Sequence, residues 1–262
     1  MRIVLSNIMA IYRKELQGYF MSPFTYVIAA VFWLLSGVLF LQTLWSTMTS
    51  ISFSEQMGTS VPVDVPYVVM GNFLGWLAMI SLFILPMLSM SLYTEERKRG
   101  TLELLATSPI TNWAVALGKL LGVLTFFVSM VLPLLIYEAI AFSSADPPMS
   151  PTLFLFGHLG LVLMAAAVLS VGMFISSLTD STILAAILTF VVMVFLLLVN
   201  WLAENVQGPL GEALAHLSLL QHYGNFIQGI FEPSSIVLFL SYVFLGLFLT
   251  AQSIEAFRFQ RS

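Results

Sequence analysis

Two apolar runs, 70–92 and 114–142, flank a charged insert: Tyr93-Thr-Glu-Glu-Arg-Lys-Arg-Gly-Thr-Leu-Glu-Leu-Leu-Ala-Thr-Ser-Pro-Ile-Thr-Asn112. Within ten residues of that insert stand three acids and three bases. Each flanking run exceeds the roughly 20 apolar residues that a helix needs to cross a bilayer. A charged insert between two such runs must lie in water beside the membrane, and its three consecutive cations favour the cytoplasmic side. With 59% hydrophobic and 8% charged residues, the chain has too little polar surface for a water-soluble domain. It reads as an all-α, polytopic integral membrane protein.

Six apolar segments fit as spans: 24–44, 70–92, 114–142, 152–175, 182–202 and 234–251. Together they make one transmembrane domain over 1–262. Pro86 predicts a kink near the end of the second span, and Pro133 a tilt or break in the third. Residues 3–20 carry Ile3, Ile8, Ile11, Leu16 and Tyr19 at helical spacing. That pattern fits an amphipathic helix in the interface, the alternative being a solvated leader to the first span. Ser22-Pro23 then turns the chain. Met1-Arg-Ile-Val-Leu-Ser does not read as a signal peptide, because Arg13, Lys14 and Glu15 interrupt the pattern before any apolar core develops. The first span is therefore expected to be retained.

The basic residues settle the expected orientation. Arg2, Arg13, Lys14, Arg97, Lys98, Arg99, Lys119, Arg258 and Arg261 all fall on one side if the N-terminus is cytoplasmic. The connections 45–69, 143–151 and 203–233 hold only acids, among them Glu55, Asp64, Glu204, Glu212 and Glu232. Within the last of these, 210–231 has the spacing of one or two short helices in the outer interface.

The central insert has its own local logic. Thr101 can cap a helix start, with Glu103 in the first turn and an apolar side made by Leu102, Leu104 and Leu105. Ser108-Pro109 ends that helix. A short apolar-faced helix beside the membrane can dock into a groove on another protein. The bland alternative is a solvated loop whose cations meet anionic lipid.

These residues carry a resemblance. The insert, followed by Leu117-Gly-Lys119, resembles the "EE+..GT.E.L..SPI....+..GK" signature that joins the second and third spans of ABC-2 type transporter permeases. The N-terminal helix resembles that family's elbow helix, and Ser176-Ser-Leu-Thr-Asp-Ser-Thr182 its fourth-to-fifth turn. Leu217-Ser-Leu-Leu-Gln-His-Tyr-Gly-Asn-Phe-Ile-Gln-Gly229 resembles the outer segment of the gliding-motility and copper-enzyme-maturation branches. The resemblance implies a coupling helix seated on a separate nucleotide-binding ATPase subunit. Its contact residues would be Glu95, Glu96, Arg97, Gly100, Thr101, Leu102, Glu103, Leu104, Leu105 and Ser108. Ser177, Thr179 and Asp180 would approach the same subunit from a second turn, and 210–231 would form re-entrant helices closing the route from outside. The resemblance also implies export, a second permease chain (identical or paralogous) and a bacterial inner membrane. ATP and magnesium would be bound on the partner, with no cofactor on this chain and no nucleic acid involved.

The motif content agrees with that division. Gly118-Lys119 lacks the earlier glycine and following Ser or Thr of a P-loop, so ATP hydrolysis by that route falls to another polypeptide. No H-E-x-x-H or G-x-S-x-G occurs. Without cysteine there is no thiolate chemistry. Glu138, a carboxylate within the third span, is costly unless paired, protonated or facing water. It is a candidate for the pathway or for a proton, the bland reading being a place among the headgroups. His158 reads as packed or interfacial, and His216 and His222 lack the i, i+4 spacing of a helical metal pair. An ion- or proton-coupled carrier using Glu138 is the rival function, and a membrane anchor for a soluble complex is the third.

Overall fold

The computed structural model of the chain describes residues 2–58, 64–101, 110–143, 145 and 150–259. Those residues are all-α. The elements are α1 (Arg2–Met21), α2 (Pro23–Gln56), α3 (Val65–Ser89), α4 (Ser91–Lys98) and α5 (Asn112–Ser143), followed by α6 (Pro151–Leu178), α7 (Thr182–Asn205), α8 (Pro209–Leu217), α9 (Leu219–Ile227) and α10 (Pro233–Phe259). Among the described residues, six helical stretches are long and apolar enough to cross a membrane: α2, α3 with α4, α5, α6, α7 and α10.

Local chemistry sets the helix starts. Prolines stand in the first turn of α2, α3, α6 and α8, where a missing N–H costs nothing. Asp64, Ser181 and Ser218 cap α3, α7 and α9 by accepting from Tyr67, Leu184 and Gln221 amides. Pro133 does not break α5. The helix runs through it, and in the turn just before it the Trp33 indole donates to the Met130 carbonyl at 2.8 Å. A group from α2 thus satisfies a carbonyl beside the site that proline disturbs. The interruption between α3 and α4 falls at Met90, one turn past Pro86, and Met90 keeps helical dihedrals.

One stretch departs from the sequence reading. Residues 45–56, expected in an outside connection, continue α2 as helix to Gln56. The polar side chains there bond to their own helix: Thr49, Ser50, Ser52 and Ser54 donate to carbonyls three or four residues back. Hydroxyls satisfied in this way let a helix continue past its apolar run.

α6 is the central post. Of its most apolar stretch 72% is buried, against 22% for α7, which turns most of its surface outward. α10, α3, α9, α4 and α5 all pack on α6. Small residues permit that density. A Cβ on Gly160 would stand 2.6 Å from Phe226, and one on Gly172 would meet the Ser89 side chain. Ser170 donates to the Tyr242 carbonyl of α10 at 3.1 Å. The outer segment 210–231 forms two short helices hinged at Ser218, whose hydroxyl also reaches Asn200 on α7 at 2.6 Å.

Candidate coupling segment and the charged cluster behind it

α4 continues the α3 span into the charged insert and ends in a Schellman turn. Gly100 has φ +68, the Gly100 amide donates to Arg97 and the Thr101 amide to Glu96. Glycine accepts that left-handed conformation without a Cβ clash. The Thr101 hydroxyl also donates to the Glu96 carbonyl, so within the described residues Thr101 closes α4. The expected contact residues Leu102, Glu103, Leu104, Leu105 and Ser108 lie outside the described residues, as does the helix start they were to form.

The remaining expected contact residues divide by direction. Glu95 and Gly100 are exposed, as are their neighbours Lys98 and Arg99, and Glu95 and Arg99 form an i, i+4 pair at 3.5 Å. Glu96 points inward instead. Its carboxylate meets the Lys119 ammonium at 3.0 Å, and the same ammonium meets Glu15 at 2.7 Å and donates to the Leu92 carbonyl at 2.7 Å. Lys119 is 2% exposed and also lies over the Tyr93 ring at 4.9 Å. Its three hydrogen-bonding protons are therefore all used. Lys14, largely solvated, reaches Glu96 at 3.7 Å from the rim.

Close packing of α1 on α5 makes this cluster possible. Cβ atoms built on Gly118 and Gly122 would stand 2.9 Å from Ile11 and 2.8 Å from Glu15. Only glycine lets the two backbones approach so closely, which brings Glu15 within reach of Lys119. Tyr19 adds a second tie. Its hydroxyl donates to Leu88 on α3 at 2.6 Å and its ring stacks on Phe126 of α5 at 5.2 Å. Burial, with Glu15 nearby, raises the phenol well above its ordinary value, so it remains a donor.

The second predicted turn joins the same structure. Ser176, at the end of α6, accepts from the Tyr93 amide at 2.9 Å and donates to the Met90 carbonyl at 3.1 Å. Among its contacts, Arg97 donates to the Ser177 carbonyl at 2.8 Å. The Ser177 side chain is buried, Thr179 is half-buried and Asp180 is exposed. The two regions expected to approach a partner separately thus form one surface, with Glu95, Lys98, Arg99 and Asp180 facing solvent. Two adjoining clefts of about 490 and 440 Å³ separate α1 from α4, and both are lined by Glu15, Gly18, Ser91 and Glu95.

Glu138 lies elsewhere. It is fully enclosed between α5 and α6, 3.4 Å from His158 Nε2. His222 is likewise committed: Ser235 lies 2.8 Å from its Nδ1, and its Nε2 faces the His216 carbonyl at 3.3 Å.

Sequence reasoning missed Glu15, Lys119 as the hub, and Ser176. One usable signal was present. A lysine inside an apolar span demands an acid partner, and Glu15 and Glu96 were among the acids on its side.

The six apolar helices define a polytopic integral membrane protein with a charged insert buttressed between its second and third spans. Within that class the chain belongs to the ABC-2 transporter family, since the model for "ABC-2 family transporter protein" matches residues 9–255. It is accordingly a membrane permease component of an ABC-type transporter, and its family works with an ABC ATPase subunit. Among curated proteins, none matches the chain.

Proposed function

We propose that this chain is the exporting permease subunit of its transporter and that α4, with the stretch following it, couples the spans to the ATPase. ATP and magnesium would bind on that partner. The N- and C-termini and α4 would face the cytoplasm of a bacterial inner membrane, as the segregation of basic residues favours. A second permease chain, identical or paralogous, would complete the route, and α8 and α9 would close it on the far side as re-entrant helices.

The observation that carries this reading is the two-sided character of α4. Its outer face presents Glu95, Lys98 and Arg99 to solvent, while its inner face is tied by Glu96 to α1 and α5 and by Arg97 to α6. A partner moving the outer face would move three helices together. Such motion needs differential contact with the partner in its two nucleotide states. The test is a mild-detergent pull-down of the tagged chain from its native membranes. A stoichiometric P-loop subunit is the expected companion. Recovery of this chain alone under several mild conditions would remove the coupling assignment.

A further inference from the structure

The charge buried deepest in the bundle is not used by the coupling reading. Glu138 on α5 is 0% exposed, and His158 on α6 is 5% exposed. The tautomer of His158 follows from its partner. Its Nδ1 lies 2.9 Å from the Phe154 carbonyl, which can only accept, so Nδ1 carries a hydrogen. The Phe154 ring, 4.8 Å away, holds the imidazole in that orientation. Nε2 is thereby aimed at Glu138 Oε2, 3.4 Å distant, a separation that a small side-chain rotation closes to a hydrogen bond.

Counting protons at that contact leaves few choices. With none, a neutral imidazole faces a bare carboxylate, and an unpaired charge in a membrane interior is expensive. With two, an imidazolium faces a carboxylic acid, which buries an uncompensated cation. With one, the pair is neutral overall, as acid and imidazole or as carboxylate and imidazolium. Among the described residues the surroundings offer no other counter-charge. α2, α3, α6 and α9 carry no lysine or arginine, and Lys119 lies roughly 28 Å along α5. The titratable groups facing Glu138 are neutral phenols, Tyr137 beside it on α5 and Tyr223 on α9. The Tyr223 hydroxyl is already donated to the Leu74 carbonyl at 3.1 Å.

We propose that Glu138 and His158 form a one-proton site inside the membrane, in which a single proton shared between Oε2 and Nε2 holds α5 against α6. The site stands apart from the coupling reading and would hold whatever drives the transporter. It does have a consequence for the cycle. Any state that parts α5 from α6 hydrates the carboxyl and lets the proton leave, so that state gains population as pH rises.

The test uses the full chain in lipid nanodiscs. Infrared spectroscopy reads the protonated carboxyl, and nitrogen NMR of labelled histidine reads whether His158 is neutral or an imidazolium. Glu138→Gln assigns the infrared band, and its amide can still donate to Nε2. If that variant does not fold, His216→Gln and His222→Asn identify the His158 signal by elimination. The expected result is a carboxylic-acid band with a neutral Nδ1–H imidazole, or an imidazolium with an ionised Glu138, unchanged between about pH 5 and 8. An ionised Glu138 beside a neutral His158 would overturn the proposal. So would a His158 that titrates alone near about pH 6.5 while Glu138 stays ionised.

Discussion

Two carboxylate sites in this molecule, one half-buried and one fully enclosed, are balanced in different ways. At the basic end, Glu15 and Glu96 converge on the Lys119 ammonium, and clefts open to solvent run alongside. Toward the opposite end of α5 Glu138 faces His158, with no lysine or arginine near it among the described residues. The first site pairs one ammonium with two carboxylates and ties α1 and α5 to α4 as its buttress. The second can be neutral with one proton and can change its occupancy. Permanent ion pairs suit an element that must transmit force, whereas a titratable pair suits a contact that opens and closes.

Removing the hub of the first site should have the largest effect. Lys119→Met leaves two half-buried carboxylates without the ammonium they share, with only Lys14 remaining near Glu96, and a loss of about 3 kcal/mol is expected. Thermal unfolding in nanodiscs reads it. Adding Glu15→Gln and Glu96→Gln to that variant should restore much of the loss, and a triple variant no better than Lys119→Met would break the comparison. Next comes the approach that builds the cluster. Gly122→Val should push α1 away from α5 and cost about 2 kcal/mol. Cysteine cross-linking between α1 and α5, feasible because the chain has no cysteine, should become less efficient in that variant.

Arg97→Gln loses a charged donor to Ser177 and should cost about 1.5 kcal/mol, measured by denaturant titration of the detergent-solubilised chain. Glu138→Gln should cost about 1 kcal/mol, because a donor still faces Nε2. A loss as large as that of Lys119→Met would assign the carboxylate–imidazolium form of the one-proton pair, and the contrast in charge between the two sites would vanish. The smallest effect on stability belongs to the outer face of α4. Exchanging Glu95 and Arg99 preserves their i, i+4 pair and should change unfolding by less than about 0.5 kcal/mol.

Much of this was legible in the sequence because apolar length and charge sign are local properties. The six spans, the turn at Ser22-Pro23 and the two short helices between the last spans needed no tertiary information. α2 runs on as helix into the connection read at 45–69, because the serine and threonine hydroxyls there are satisfied on the helix itself. Glu138 and His158 each stood out as a polar residue in an apolar segment, but their pairing joins separate helices and leaves no periodic trace. Lys119 was read only as the end of a motif, since neither Glu15 nor Glu96 lies within a helical turn of it. That changes how the motif should be probed. Reversing Glu96 with Arg97 would dismantle the buttress as well as any docking surface, whereas Glu95 and Arg99 report on docking alone.

The most direct measurement is therefore co-purification of the Glu95→Arg, Arg99→Glu variant beside the wild-type chain from native membranes. The account predicts that wild type brings a stoichiometric P-loop subunit, and that the variant, equally stable and inserted, loses most of it. An exchanged variant that retains the subunit at the wild-type level would contradict docking on the outer face of α4.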